Sequence, residues 1–459
     1  MTVKTFSRGV FLPHYKKFSQ DKPISTISLP EEVIIPLHQH TGAPCHAVVK
    51  VGDKVKTGQK IGESNAFVSA FVHSSVDGTV TAIEPRPYFT GSQVESVVIQ
   101  VDPDQKEPEW PERDIAKLSK DEIKAAIKEA GIVGMGGAAF PTHVKLSPPR
   151  AIDAVIINAC ECEPFLTCDH RMMVEMTDQL IEGAKLIARV VDAPRIIFGT
   201  ETNKPDAIEA LKSKIAGESN IEVIPLDVKY PQGSEKQLIK ATMDREVPPG
   251  KLPFDVGVVV QNVATAIAIY QACRFGKPLY ERVLTITGDG AAKPGNVRVR
   301  IGTPIGHVIE QCGGFKGASI EEAELDKSEV RYPVFAPPQL VGKIIMGGPM
   351  TGWAQKRLDI PVVKGTSGIL IFTPAMVVDT AHMSCVRCAK CVEHCPMFLY
   401  PNYIGVYAET GRYSLAAEWG AMDCFECGIC VYVCPSNRPI VQFVRETKRH
   451  IAAARAAKK

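Results

Sequence analysis

The chain has 459 residues, 45% hydrophobic and 23% charged, a globular balance that excludes a disordered tail or a mini-protein and leaves room for about three domains. Lys plus Arg number 53 against 51 Asp plus Glu, so no global field holds nucleic acid or an anionic membrane, and any such contact is local. Fourteen cysteines are too dilute for a disulfide scaffold, and eight of them fall between Cys385 and Cys434, which points to metal.

Residues 1–28 read as an N-terminal arm. Its start carries Arg8, Lys16 and Lys17 but no apolar core of signal-peptide length, so a cytoplasmic location is expected. Residues 29–102 are short Val/Ile-rich runs punctuated by glycine, such as Val48-Val49-Lys50-Val51-Gly52 and Val76-Asp77-Gly78-Thr79-Val80, and predict an all-β module of hairpins. The spacing resembles the barrel-sandwich fold of lipoyl and biotinyl carrier domains. No lysine stands between Lys60 and Lys106, so the carrier role is not expected and the module is read as a packing or docking domain. His38, His40, Cys45 and His46 near its start are candidate metal ligands, although their spacing matches no regular zinc pattern.

A Pro- and charge-rich linker covers 103–118. Ser119 with Glu122 then predicts a capping box, Ile123, Ile127 and Ala130 one apolar helix face, and Gly131 its end. Over 119–280 apolar runs alternate with helical patterns: strands at 152–157, 195–199, 221–226 and 256–260, and helices at 179–191, 206–216, 234–243 and 263–274. Repeated βα units with strands buried on both faces imply an α/β domain with a parallel sheet. Such sheets bind ligands beyond the carboxyl ends of their strands, here at Asn158–Pro164, Tyr230–Glu235 and Gln261-Asn262. Ser234 with Gln237 reads as a second capping box. The nearly uncharged stretch 256–273 is broken by Gln261 and Asn262 and is read as strand and helix rather than as a membrane span. Residues 281–330 form a small α+β module, with two strands around Gly288-Asp289-Gly290 and a short helix capped by Thr303 and stopped at Gly313. Residues 331–376 read as a connecting segment.

Within 377–440, Cys385-x2-Cys388-x2-Cys391-x3-Cys395-Pro396 is repeated as Cys424-x2-Cys427-x2-Cys430-x3-Cys434-Pro435. In two-cluster ferredoxins the fourth cysteine of each run ligates the other cluster. One 4Fe-4S cluster is therefore assigned to Cys385, Cys388, Cys391 and Cys434, and the second to Cys424, Cys427, Cys430 and Cys395. The alternative, a pair of four-thiolate zinc sites, is disfavoured because zinc motifs supply cysteines in pairs whereas each run here supplies four. A third metal site at Cys160, Cys162 and Cys168 stands against their reading as small buried hydrophobes. The tail 441–459 holds Arg445, Lys448, Arg449, Arg455, Lys458 and Lys459 against Glu446, a lipid- or partner-facing helix or equally a solvated one.

The string Gly131-Ile-Val-Gly134-Met-Gly136-Gly137-Ala-Ala-Phe140-Pro-Thr-His-Val-Lys145 resembles the FMN- and NADH-binding loop of the complex I flavoprotein-subunit superfamily. Asn158–Pro164 resembles that family's acidic loop, Tyr230 with Gly233 and Glu235 its third loop, and Gln261-Asn262-Val263 with Thr265 its fourth. With Phe6–His14, Ile35–Pro44, Glu161–Asp169 and Gly347–Gly352 added, the chain up to its tail resembles one branch, the C subunits of Rnf ion-translocating electron transport complexes. The resemblance implies an FMN/NADH-binding α/β domain, an N-terminal barrel-sandwich module, a small β-grasp-like (SLBB) module and a two-cluster ferredoxin domain. It implies that Gly134, Gly136 and Gly137 let backbone approach the cofactors, that Lys145 meets phosphate or flavin and that Phe140 packs on nicotinamide or adenine. Asn158, Asn262 and Thr265 would hydrogen-bond FMN, and Glu161, Glu163 and Glu235 would position ribose and nicotinamide, with Tyr230 and Gly233 in the third loop. Met135, Cys160 and Ser234 depart from the complex I pattern, where arginine, aspartate and glutamate stand.

The implied activity is an NAD(H) oxidoreductase with noncovalent FMN between a two-electron dinucleotide and one-electron clusters. The implied setting is the cytoplasmic face of the inner membrane, beside an iron-sulfur B subunit and flavinylated D and G subunits, with no nucleic acid. A soluble reductase such as a cobalamin reductase, and a non-enzymatic iron-sulfur subunit, are the alternatives.

Overall fold

The computed structural model describes residues 3–317, 340–377 and 381–456. Residues 318–330 of the expected small module, 331–339 of the expected connection, and Lys458 and Lys459 of the basic tail lie outside the described residues.

At the centre is a four-stranded parallel sheet in the order Ile221–Leu226, Arg195–Glu201, Ala154–Ala159, Val258–Asn262. Strand side chains alternate between faces. Accordingly Val155, Ile157, Ile196 and Phe198 pack with the helices Lys120–Glu129, Thr177–Val191 and Val263–Phe275, while Ala154, Ile156, Ile197 and Val260 pack with Glu235–Met243 on the other side. Two strands start two residues later than expected from 152 and 256. The 3-10 turn Pro253–Val256 ends on Gly257 at φ 71°, whose carbonyl accepts the Asp153 N–H at 2.7 Å, so regular pairing begins only beyond this clasp. Asn158 and Asn262 thereby become paired strand residues rather than loop residues.

The expected capping box at Ser119 and Glu122 is formed. The one at Ser234 is not: its side chain makes no cap bond, and Gln237 donates instead to the Pro396 carbonyl of the cysteine-rich module at 3.1 Å. The helix Cys168–Glu175 is additional to the expected elements; the Glu161 carboxylate accepts from its Asp169 and His170 amides at 2.7 and 3.2 Å.

The front module is two small sheets, Glu32–Pro36 with Gln93–Val101, Gly78–Pro87 and Lys54–Val55, and His46–Ala47 with Lys60–Glu63 and Val72–His73. They close over Val33, Ile35, Ile61, Val72, Val97 and Ile99. A six-stranded mixed sheet follows, in the order Ile24–Thr26, Gly295–Arg300, Glu281–Thr287, Gly368–Phe372, Lys343–Met346, Trp353–Gln355. Three of these strands come from the segment expected only to connect modules. They are short runs such as Ile344-Ile345-Met346 and Ile369-Leu370-Ile371, in which Ile344, Met346, Ile369 and Ile371 complete the core under the helix Ile305–Gln311 and Ile345 and Leu370 pack with Phe165 and Leu166 on the other face. The N-cap position of that helix is Pro304 rather than the expected Thr303, and no side chain caps it.

The cysteine-rich module carries the helices Pro401–Glu409, Tyr413–Glu418 and Ile440–Ala456. Two of the tail's cations are engaged within the protein: Arg445 and Lys448 both bond Glu426 at 2.8 Å, and Arg445 lies 4.5 Å from the centre of the Trp353 ring.

Candidate active site

A cavity of about 610 Å³ opens beyond the carboxyl ends of the parallel strands, within the size range of cofactor sites. Its floor is the glycine loop. There Gly134 N–H donates to the Phe140 carbonyl at 2.8 Å, and Met135 N–H donates to Thr265 Oγ1 at 2.9 Å. Thr265 is fully buried beneath the loop, so it holds the loop rather than facing the cavity. A Cβ on Gly137, at φ 121°, would meet no protein atom within 4 Å. That open face is where a flat ligand can lie against backbone.

Asn262 caps the following helix through Oδ1 to Thr265 N–H and donates from Nδ2 to Asp169 Oδ2 at 2.6 Å. Asn158 Nδ2 donates to the Gly233 carbonyl at 2.6 Å.

The acidic loop is gripped by two buried lysines. Lys16, from the N-terminal arm, donates to the carbonyls of Glu161, Glu163 and Leu166 at 2.8, 3.1 and 2.6 Å, and burial lowers its pKa. Lys204 bonds the Cys160 carbonyl and pairs with Glu201 at 2.8 Å. This double grip keeps Glu161 at φ 49°. The Glu163 carboxylate accepts from Met350 N–H at 3.0 Å and from the Thr351 hydroxyl, and burial raises its pKa. Burial, reinforced by neighbouring Glu161, raises Asp169 to about 7.

Of the residues singled out from sequence, Gly136, Gly137, Asn158, Glu161, Glu163, Gly233 and Asn262 line the cavity. Gly134, Phe140 and Thr265 form and support the loop. Lys145 and Glu235 make an ion pair with each other outside the lining. Tyr230 is buried against the cysteine-rich module, its hydroxyl donating to the Cys427 carbonyl at 2.7 Å. Sequence reasoning missed Asp169 as a wall residue, together with Phe89 from the front module, Trp353 from the mixed sheet and Phe425 from the cysteine-rich module. Gly347–Gly352, matched only as part of the family resemblance, forms one wall. No local pattern marks Phe89 or Phe425, whose place depends on how the modules pack.

The eight clustered thiols sort into two groups. Cys385, Cys388, Cys391 and Cys434 surround one small cavity, and Cys395 stands within electrostatic reach of Cys424, Cys427 and Cys430. Each run is thus completed by the last cysteine of the other, a donor set that fits two cubane clusters. Phe425, between Cys424 and Cys427, faces the large cavity.

The other metal candidates do not converge. Cys160 Sγ faces Gly199 O, Cys168 Sγ faces Ser367 O, and Cys162 Sγ accepts from Gly233 N–H. The close trio among the described residues is instead Glu161, Cys168 and Asp169, each already hydrogen-bonded within the protein. His38 and His40 face the Gly42 and Ala43 carbonyls, Cys45 bonds Ala70 O, and His46 lies at 4.0 Å from Glu63.

Four family descriptions match the chain: an RnfC barrel sandwich hybrid domain over residues 4–104, a Nuo51 FMN-binding domain over 127–271, an SLBB domain over 283–321 and a 4Fe-4S dicluster domain over 376–435. The chain is 44% identical to the C subunit of the Na(+)-translocating ferredoxin:NAD(+) oxidoreductase complex of Acetobacterium woodii, covering 99% of each chain. It is 44% identical to the C subunit of the proton-translocating ferredoxin:NAD(+) oxidoreductase complex of Clostridium ljungdahlii, over 98% of this chain and 95% of that one. It is 37% identical to the C subunit of an ion-translocating oxidoreductase complex of Rhodobacter capsulatus, over 99% and 85%.

Proposed function

The chain belongs to the family of C subunits of ion-translocating ferredoxin:NAD(+) oxidoreductase complexes, and from that membership we propose that its cavity is where NAD(H) and FMN meet the iron-sulfur module. It is an oxidoreductase subunit with an FMN-binding domain and a 4Fe-4S dicluster domain. Bound FMN supplies the conversion between a hydride's electron pair and single electrons that a dinucleotide and two clusters require.

The chain's own residues bind and orient. Gly136 and Gly137 admit the flavin against backbone, with Gly134 and Phe140 shaping the loop and Thr265 holding it from below. Asn158, Asn262 and Gly233 present polar edges to the ring system. Glu161 and Glu163, on the loop clamped by Lys16 and Lys204, hold ribose hydroxyls and nicotinamide. Lys145 and Glu235 neutralise each other until phosphate or ribose separates them. Hydride transfer needs no protein acid or base, so placement is the protein's main contribution.

The observation that carries this reading is that Phe425, flanked by two cluster cysteines, lines the same cavity as the glycine loop. It supports a reading in which Cys424, Cys427, Cys430 and Cys395 would hold the cluster nearer the nucleotide site and Cys385, Cys388, Cys391 and Cys434 the farther one. A purely electron-carrying subunit would not need so large a cavity beside its clusters.

The direct partners are an iron-sulfur B subunit and the flavinylated D and G subunits, met at the cytoplasmic face of the inner membrane. No helix of the described residues is long and apolar enough to cross a membrane, which supports attachment through protein contacts.

Purified chain is expected to carry about one FMN and roughly eight iron, read by flavin and iron analysis. Gly137→Arg fills the open face, so it loses FMN and NADH oxidation while iron stays. Retention of both FMN and NADH oxidation would overturn the site.

A further inference from the structure

Residues 4–16 run between the parallel-sheet domain and the cysteine-rich module and are bonded to both. Val10 and Tyr230 exchange N–H···O=C bonds at 3.0 and 2.8 Å, and Lys16 clamps the acidic loop. Midway the arm turns sharply at Arg8 and Gly9, with φ of 63° and 79°. Glycine is required at the second position because a Cβ would lie 2.6 Å from the Tyr230 carbonyl oxygen. The turn delivers Arg8 to the end of the first cysteine run. Its NH1 donates to the Val392 carbonyl at 2.7 Å, its guanidinium carbon lies 4.0 Å from the centre of the Phe398 ring, and Gly9 N–H donates to His394 O at 3.1 Å. Val392 and Phe398 flank Cys395, three residues before it and three after, so the guanidinium sits against both sides of this cysteine's segment.

Among the described residues Arg8 forms no ion pair with a carboxylate; its contacts are a carbonyl and a ring. On the opposite side Lys448, at the Cys424 carbonyl, and Arg445 share the one carboxylate of Glu426. Arg8 is therefore an uncompensated charge on the Cys395 side of this group.

We propose that Arg8 sets the reduction potential of the cluster that Cys395 helps to hold, by keeping an uncompensated positive charge beside it. The proposal rests on the assignment of Cys395 to the second run's cluster. Reduction adds one electron to that cluster, makes or breaks no bond, and leaves it one unit more negative. A fixed cation favours the reduced form over the oxidised one. Because this cluster is the one beside the large cavity, Arg8 biases electrons toward the flavin end of the pair of clusters.

The test is a redox titration of the cofactor-loaded full chain followed by electron paramagnetic resonance. At the ambient potential where the wild-type cluster is half reduced, Arg8→Gln lowers its reduced-to-oxidised ratio three- to tenfold and leaves the other cluster unchanged, and Arg8→Lys restores the ratio to within twofold. Unchanged ratios in Arg8→Gln, or an equal fall in Arg8→Lys, overturn the proposal. If Arg8→Gln sheds iron, Arg8→Met supplies a neutral stem over Phe398; the same fall supports the proposal and no fall overturns it. Cys395→Ser and Cys385→Ser identify the two signals. Should they alter the same one, the crossed assignment itself fails and takes the proposal with it; should they alter different ones while Arg8 variants shift nothing, only the charge effect fails.

Discussion

Lys16 shows how much of the site depends on single buried charges. Its ammonium joins the carbonyls of Glu161, Glu163 and Leu166. Lys16→Met keeps the stem and removes the charge, leaving these acceptors unsatisfied at a cost of about 3 kcal/mol. A lowered thermal midpoint together with a raised KM for NADH is expected, because the freed loop carries two of the residues assigned to the dinucleotide. Asp169 makes a pH-dependent case. Its carboxyl titrates near 7 in the folded chain against about 4 unfolded, so the folded state binds the extra proton between those values. The resulting stability is complete below about pH 4 and is lost as pH rises through about 7. Asp169→Asn retains an oxygen to accept from Asn262 but cannot ionise. Its thermal midpoint, compared with wild type, therefore rises between pH 5 and pH 8 by the equivalent of about 2 to 3 kcal/mol; a difference constant with pH would refute the sign.

At the scale of elements, the helix Lys120–Glu129 offers a cap remote from the cavity. Ser119 Oγ accepts from Glu122 N–H at 3.2 Å and the Glu122 carboxylate accepts from Ser119 N–H at 2.7 Å. Ser119→Ala is expected to cost about 1 kcal/mol of stability with NADH oxidation unaltered, measured by thermal unfolding beside an activity assay. This cap is readable because both partners lie within one turn. Ser234 and Gln237 carry an equivalent pattern, yet Gln237 turns to Pro396, some 160 residues away in sequence, and nothing local announces that preference. The same division runs through the rest of the molecule. The parallel strands, their helices and the two cysteine runs follow from periodicity and spacing. The strands Lys343–Met346 and Gly368–Phe372 escape such reading because they join the sheet by pairing with each other and, through the latter, with Glu281–Thr287 far back in the chain. In the cavity, the glycine loop and the acidic loop are legible as strings, whereas Phe89, Trp353 and Phe425 reach it only through the docking of separate modules.

For the whole molecule, function depends on that docking, since electrons pass between centres only when the distance between them is held. Among the contacts that hold the cysteine-rich module to the nucleotide site are the Tyr230 hydroxyl on Cys427 O, Gln237 on Pro396 O, and Arg445 over Trp353. The first is the most revealing to remove, because Tyr230→Phe keeps the ring packed against Val10, Leu12 and Ile429 and deletes the hydroxyl that bonds the Cys427 carbonyl. Its cost to stability is about 1 kcal/mol. The Cys427 segment, freed of its anchor, samples positions farther from the cavity. Dye reduction drawn directly from the flavin by NADH should then remain within twofold of wild type, while stopped-flow reduction of the clusters by NADH slows several-fold with iron and FMN content unchanged. Equal slowing of both rates would mean that Tyr230 serves the nucleotide site itself, and no slowing of either would mean that the hydroxyl bond does not control the approach of cluster to cavity.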